Sequence, residues 1–289
     1  MHESTIQYLR CVRCGSNIDS RTFVKDSEII EGLLECQKCK LLFPIIEKVP
    51  IIWDDFSKYI ASRTVLAGRL YRTARDEKMK QFLKKSLSNT TKCDDRTHLE
   101  DRWCGIYLQS KNSRFYSMVK KELEQVPPSE LVLEYGCSIG LMTEFLADHH
   151  KTVFGIDRSY AAISVAKKSS KKNLDYIVAD SLSCVFGRTK FDLVLALNVL
   201  ELIEPLDLLQ HVSEQIRQGF FVISDPYDFD RGKNSVKNPL DEKSLRKNLE
   251  NLGFSITAKT KKPSFHTWNL HLGSRTVLNY KVDIVTSQK

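Results

Sequence analysis

The sequence predicts an α/β protein: a mostly parallel sheet covered by helices, with a small four-cysteine module at residues 1–56 and a helical connector over 57–128. Three observations predict it. Residues 131–157 read as a buried strand, a glycine turn, an amphipathic helix and a second strand ending in Asp157. Short apolar runs alternating with helical stretches continue that pattern through residue 224, which is the signature of a βαβ sheet over 129–289. At the other end, Cys11-x-x-Cys14 and Cys36-x-x-Cys39 are two thiol pairs separated by 21 residues.

Taken in chain order, the thiol pairs come first. Each pair sits on a tight turn, and together they can close a tetrahedral four-sulfur site for zinc. The alternatives are a redox pair, which needs only one Cys-x-x-Cys, and disulfides in a secreted protein. No signal peptide precedes Cys11, and Cys93, Cys104, Cys137 and Cys184 are scattered, so a reducing, cytoplasmic setting is the expectation. Four cysteines leave no open coordination position, so the metal would be structural. The run Leu41 to Ile52, Leu-Leu-Phe-Pro-Ile-Ile-Glu-Lys-Val-Pro-Ile-Ile, resembles the tail of the small zinc-ribbon activator proteins, over residues 6–53. Those proteins bind and stabilise several tRNA, rRNA and protein methyltransferases, so the resemblance implies a zinc ribbon and a protein partner. A glycine usually follows the acid of their turn; here Lys48 takes that place.

The connector carries the charge. The chain has 44 basic and 36 acidic side chains for a formal +8, and residues 61–128 alone hold 15 basic and 8 acidic ones. Arg63, Arg69, Arg72, Arg75, Lys78, Lys80, Lys84 and Lys85 alternate with Leu66, Leu70, Tyr71 and Phe82 at roughly helical spacing. That is an amphipathic helix with a basic face. It can be a solvated surface, a phosphate-tracking surface for RNA, or a membrane-surface contact. Residues 86–101 are polar and predict a loop; Trp103 to Val126 then form an aromatic-rich helical stretch that ends at Pro127-Pro128. No apolar run approaches the ~18 residues of a membrane span.

Leu131-Val132-Leu133 is an uninterrupted apolar run, as in a strand covered on both faces. Gly136 and Gly140 remove Cβ atoms where the chain turns into the next helix, and Asp157 ends the second strand, where a carboxylate can accept both hydrogen bonds of a ribose diol. A dinucleotide site would need Gly-x-Gly-x-x-Gly; this turn has only Glu134-x-Gly136-Cys137-x-x-Gly140. It resembles the S-adenosylmethionine (SAM) site of the seven-strand, Rossmann-like methyltransferases. The resemblance continues in order. Tyr176 to Ala179 end in Asp180-Ser181, where the family places a group beside the adenine amine. Phe191 to Asn198 lead into Val199-Leu200-Glu201-Leu202, with Leu202 where a histidine is frequent, and Gly219 to Ser224 end in Asp225-Pro226-Tyr227-Asp228. A polar helix over 241–252 stopped by Gly253, then antiparallel strands over 254–260 and 280–286 joined by a long connection, complete the expected sheet.

The resemblance implies a SAM-dependent methyltransferase whose cofactor contacts include Glu134, Gly136, Cys137, Gly140, Asp157, Asp180, Ser181 and Asn198. In related folds the helix before the first strand caps the methionine end, which adds Tyr107 and Arg114. Methyl transfer from a sulfonium needs little acid–base machinery, so proton acceptors are hard to read; Asp225, Tyr227 and Asn198 are the catalytic candidates. His266 and His271 either reach the same edge or play ordinary packing and surface roles. Ribbon and basic connector together favour RNA narrowly as substrate. The alternatives are a small-molecule or protein N- or O-methyltransferase and a non-catalytic binding module built on the same fold.

Overall fold

A computed structural model describes residues 1–88, 94–169, 171–229 and 236–289. A 3-10 helix, Glu3–Tyr8, precedes strands β1 (Ile18–Lys25), β2 (Ile29–Cys36), β3 (Leu42–Ile46) and β4 (Val49–Ile52). Helices α1 (Phe56–Ala61), α2 (Thr64–Thr73), α3 (Glu77–Ser88), α4 (Thr97–Gln109) and α5 (Arg114–Leu123) follow. Then come β5 (Leu131–Tyr135), α6 (Leu141–His149), β6 (Thr152–Asp157), α7 (Tyr160–Ala166), β7 (Leu174–Ala179) and β8 (Phe191–Leu197). The chain finishes with α8 (Pro205–Gln215), β9 (Ile216–Asp225), α9 (Glu242–Asn251), β10 (Ser255–Ile256), β11 (His266–Gly273) and β12 (Thr276–Gln288). Two compact units divide it: Met1–Cys104 with Ser138–Gly140 and Ile156–Thr189, and Gly105–Cys137 with Leu141–Gly155 and Lys190–Lys289.

In the first unit β1 to β4 form an antiparallel meander, and β4 also pairs in parallel with β7, Ile51 beside Val178 and Ile52 beside Ala179. Every residue of β4 and of β7 is buried, and apart from Asp175 both read as apolar runs. The β3–β4 hairpin turns on Glu47 and Lys48, both at positive φ (50° and 69°), the pattern of a type I′ turn. Lys48 therefore occupies a glycine-favouring backbone, and its ammonium lies 3.3 Å from Glu28 and 3.8 Å from Asp26. Nearby, the buried Lys167 ammonium donates to Glu28 at 2.5 Å and to Asp175 at 2.7 Å, while Thr5 and the His2 backbone N–H donate to the other oxygen of Asp175. Residues far apart in sequence are thus tied to the end of α7 and the start of β7.

The connector helices α1 to α3 pack around Phe56, Tyr59, Ile60, Leu66, Leu70, Met79 and Leu83. Their polar face is less free than the sequence suggests. Arg63 is 3 % exposed and paired with Glu100 at 2.6 Å, so it is a buried anchor and not part of a basic surface. Arg69 pairs with Asp101 and Lys80 with Glu77, whereas Arg72, Arg75, Lys78, Lys84 and Lys85 are exposed. The expected polar loop over 86–101 is shorter, because α3 runs to Ser88 and α4 starts at Thr97; residues 89–93, with Cys93, lie outside the described residues.

In the second unit β5, β8 and β9 run parallel, β12 joins β9 antiparallel, and β10 pairs with the far side of β12. α9 starts in a capping box between Asp241 and Ser244 and stops before Gly253 at φ 85°, as its sequence predicts. The last part of the sheet differs from expectation. Residues 266–273 form a strand, β11, hairpinned to an extended β12, where the sequence suggests a connection; only Ser255 and Ile256 of the stretch 254–260 are strand. Alternating burial of Trp268 and Leu270 against exposed Asn269 and His271 is the period-two pattern that marks it. No helix among the described residues is long and apolar enough to cross a membrane.

Candidate functional site

The four N-terminal cysteines converge. Their sulfurs lie within 4.8 Å of one another, with Cys11 3.5 Å from Cys39 and Cys14 3.4 Å from Cys36. Those separations exceed the ~2.05 Å of a disulfide and approach the ~3.8 Å edge of a tetrahedron with ~2.3 Å zinc–sulfur bonds. Both knuckles are built alike. The residue after each second cysteine, Gly15 and Lys40, takes positive φ (69° and 59°), and its N–H bonds back to the carbonyl of Cys11 or Cys36. The donor set and spacing fit a zinc ion with no position left for substrate.

The second set of candidate residues lies at the ends of strands in each unit. Backbone at positive φ marks them: Ser138 (50°) and Gly140 (77°) in the first unit, and Gly136 (63°), Asn198 (55°) and Tyr227 (55°) in the second. Left-handed backbone at non-glycine residues is costly and concentrates where the chain must aim groups at a ligand. Both glycines are also required by packing. A Cβ on Gly136 would lie 2.5 Å from Cγ1 of Val199, and one on Gly140 would lie 2.5 Å from the Tyr176 hydroxyl and 2.8 Å from Cβ of Ala166.

In the first unit Asp157 is the centre. Its Oδ2 accepts the Ser138 N–H at 2.9 Å and its Oδ1 the Ser159 N–H at 2.8 Å, which leaves a lone pair on each oxygen for a diol. Burial raises its pKa, opposed by those two N–H donors. Asp180, exposed at the end of β7, turns the chain: its Oδ1 accepts the Leu182 N–H at 2.9 Å, and its carbonyl accepts from Ser183. Ser181 beside it is buried.

In the second unit Glu134 is buried at the end of β5 and accepts from the Thr143 hydroxyl at 2.5 Å; Cys137 is buried as well. Asn198 donates its backbone N–H to the Ser224 carbonyl at 2.7 Å, and its side-chain oxygen accepts from the Ser224 hydroxyl at 3.0 Å. Asp225 is fully buried and accepts the N–H groups of Leu200 (3.1 Å) and Tyr227 (2.8 Å). The Tyr227 hydroxyl donates to Asp283 at 2.9 Å, and Asp283 is held by Arg246 at 2.7 Å. Burial and then the Asp283 charge push the Tyr227 phenol well above its usual range. Tyr107 stacks on the buried Trp268, their ring planes 5° apart with centroids 6.2 Å apart; Arg114 is exposed at the start of α5. His266 is half-buried and His271 exposed on β11.

Sequence reasoning missed the groups behind Asp157. Ser159 is the N-cap of α7, accepting the Ala162 N–H at 3.2 Å, and a Ser two residues after the strand-ending acid is a readable cap signal. Tyr59, Arg63 and Glu100, which surround it, carry no local signal, since they come from three different helices or their caps.

Residues 132–219 match the family described as "Methyltransferase domain". The ubiquinone biosynthesis O-methyltransferase of Coxiella burnetii (strain RSA 493 / Nine Mile phase I) is 30% identical over 92 residues, covering 30% of this chain and 39% of the relative. The mitochondrial ubiquinone biosynthesis O-methyltransferase of Schizosaccharomyces pombe is 33% identical over 102 residues, covering 32% of this chain and 36% of the relative. The chain thus spans less than two fifths of the length of these curated relatives. Among solved structures, the magnesium protoporphyrin IX methyltransferase (ChlM) of Synechocystis PCC 6803 with bound SAH superposes with a TM-score of 0.51 at 18% identity, covering 67% of this chain and 95% of that one. Residues 132–219 are a methyltransferase domain, and the chain has the fold of the SAM-dependent methyltransferases.

Proposed function

We propose that this protein transfers a methyl group from SAM to a small-molecule acceptor, with residues 1–56 as a zinc ribbon, 57–128 as a helical connector and 129–289 as the methyltransferase domain. One observation carries the reading: the left-handed loop after β5 places the Ser138 N–H on the Asp157 carboxylate, leaving that carboxylate a lone pair on each oxygen for a ribose diol. In this reading Gly136, Cys137 and Gly140 line the methionine and ribose end with Glu134 beneath them. Asp180 and Ser181 meet the adenine, and Asn198 and Tyr107 border the methyl group.

When bound, the sulfonium supplies an already activated methyl group, so the residues of the chain have chiefly to bind, orient and exclude water. Asp225 and Tyr227 are read as positioning groups. Their support is that the Asp225 oxygens accept two backbone N–H groups and the Tyr227 hydroxyl donates to Asp283. Asn198, in left-handed backbone after β8, is the remaining candidate beside the reacting atoms.

A small-molecule acceptor is supported by the ion pairs that occupy Arg63, Arg69 and Lys80, and by the similarity to ubiquinone biosynthesis O-methyltransferases. RNA is the second reading, favoured by the exposed Arg72, Arg75, Lys84 and Lys85. The test is calorimetry with S-adenosylhomocysteine, followed by transfer from labelled SAM to small phenolic and amine acceptors and, separately, to total RNA. No binding of S-adenosylhomocysteine would leave a non-catalytic binding module. Labelled RNA would favour the second reading, and reversing Arg69, Arg72 and Arg75 to Glu should then flatten the log–log salt dependence by roughly 0.7–0.9 per lost phosphate contact.

The zinc reading is supported by the sulfur geometry, and about one zinc per chain by elemental analysis is its expected outcome. The ribbon's β4 already pairs with β7 of the same chain, so its stabilising role is read as intramolecular.

A further inference from the structure

The loop that presents Asp157 is gripped from outside the methyltransferase sheet: Tyr160 at its end donates to the Ile46 carbonyl at 3.2 Å, and the groups around Ser159 come from the connector. The Tyr59 hydroxyl donates to the Arg158 carbonyl at 3.1 Å and accepts the Tyr160 N–H at 3.2 Å, so one phenol spans the residue between them, Ser159. The Ser159 hydroxyl has a single proton, and it goes to Glu100 at 3.2 Å; its lone pair is then directed at the Ala162 N–H that it caps. Tyr59 and Glu100 are in turn joined by one guanidinium. Arg63 forks onto Glu100 with Nη2 at 2.6 Å and Nε at 3.0 Å, sends Nη1 to the Tyr59 carbonyl at 3.1 Å, and stacks its Cζ 4.1 Å over the Tyr59 ring.

We infer that Arg63, through Tyr59 and Glu100, is a positioning residue that holds the Asp157–Tyr160 loop in the one conformation able to accept a ribose diol. A planar, always charged fork is the side chain suited to this task, because it satisfies a carboxylate and an aromatic face at once. Arg63 and Tyr59 are 3 % and 2 % exposed, so water does not substitute for their contacts. The connector is therefore part of the cofactor-binding apparatus and not a separate surface. This rests on the methyltransferase reading and adds to it a source of cofactor selectivity.

The test compares S-adenosylhomocysteine with its 2′,3′-dideoxy analogue by calorimetry, using the full chain. Tyr59→Phe keeps the ring and removes both hydroxyl bonds; it should weaken S-adenosylhomocysteine roughly fivefold or more and leave the dideoxy analogue unchanged. Arg63→Met should do the same more strongly, and Arg63→Lys should recover only part of the loss. In an Asp157→Ala background Tyr59→Phe should add nothing, because its effect passes through that carboxylate. Equal losses for both ligands would mean general damage and would overturn the assignment, as would full affinity in Tyr59→Phe. A wild-type chain that binds neither ligand would overturn the methyltransferase reading itself, and this inference with it.

Discussion

The ends of β6 and β9 both carry an aspartate, and the two are put to opposite uses. Among the described residues, Asp157 accepts one N–H group on each oxygen, from its own loop and from the loop after β5, and its side chain is half-buried. Asp225 is fully buried; it accepts the N–H groups of Leu200 and Tyr227, and its register partner across the sheet is another aspartate, Asp283. Two carboxylates facing across strands repel, and Arg246 offsets this with its contacts to Asp283 at 2.7 and 3.2 Å. Two aspartates that each end a strand thus differ in surroundings: one is half-buried beside two loops, and the other is fully buried and staples loops. What separates them is where their lone pairs go. Both units also tie remote segments together through charged side chains: Lys167 with Glu28 and Arg63 with Glu100 in the first, Arg246 with Asp283 in the second.

The largest effect is expected at the proposed zinc site, since a bound metal would supply much of the folding free energy of so small a module. Cys36→Ser should lose the zinc and unfold the ribbon, because structural zinc supplies folding free energy of about 10–16 kcal/mol in isolated zinc-finger peptides. Elemental analysis and thermal melting check this; a metal-free wild type with an unchanged melting curve would remove the premise. Next, Asp225→Ala should cost about 2–4 kcal/mol of stability, as two backbone donors lose their acceptor in a buried place. Urea unfolding measures it, and a near-neutral result would return Asp225 to the ligand-binding acids.

Asp157→Ala should behave in the opposite sense. It should weaken S-adenosylhomocysteine about tenfold to a hundredfold, the loss of charge-assisted bonds worth roughly 1.5–3 kcal/mol, with little change in unfolding midpoint. A mutant that melts early but binds normally would reverse the roles of the two aspartates. The smallest effect is expected from acid. Burial would raise the Glu28 carboxyl, but the hydrogen bond and charge of Lys167 hold it down at about 2. Its folded pKa is depressed, so its contribution is complete above the unfolded value of ~4.3 and is lost as pH falls through about 2. Unfolding free energies followed from neutral to acidic pH should decline less steeply in Glu28→Gln than in the wild type.

The order of elements was determined by the sequence alone wherever the signal is local. Unbroken apolar runs mark β5 and β8, a Gly at φ 85° ends α9 after its capping box, and two Cys-x-x-Cys knuckles mark the four-sulfur cluster. Gly136 and Gly140 were legible as turn glycines because the turn after β5 sets both at positive φ, 63° and 77°. β11 was hidden because only pairing with β12 gives a polar, histidine-bearing segment its strand conformation. Arg63 read as one more cation on a basic face, and only the tertiary structure made it a buried fork between Tyr59 and Glu100. The partner of a charged side chain is set by which distant segments packing brings within about 3 Å, and no local periodicity encodes that. The burial of Asp225 and the half-exposure of Asp157 were decided the same way, by the loops that fold over each strand end.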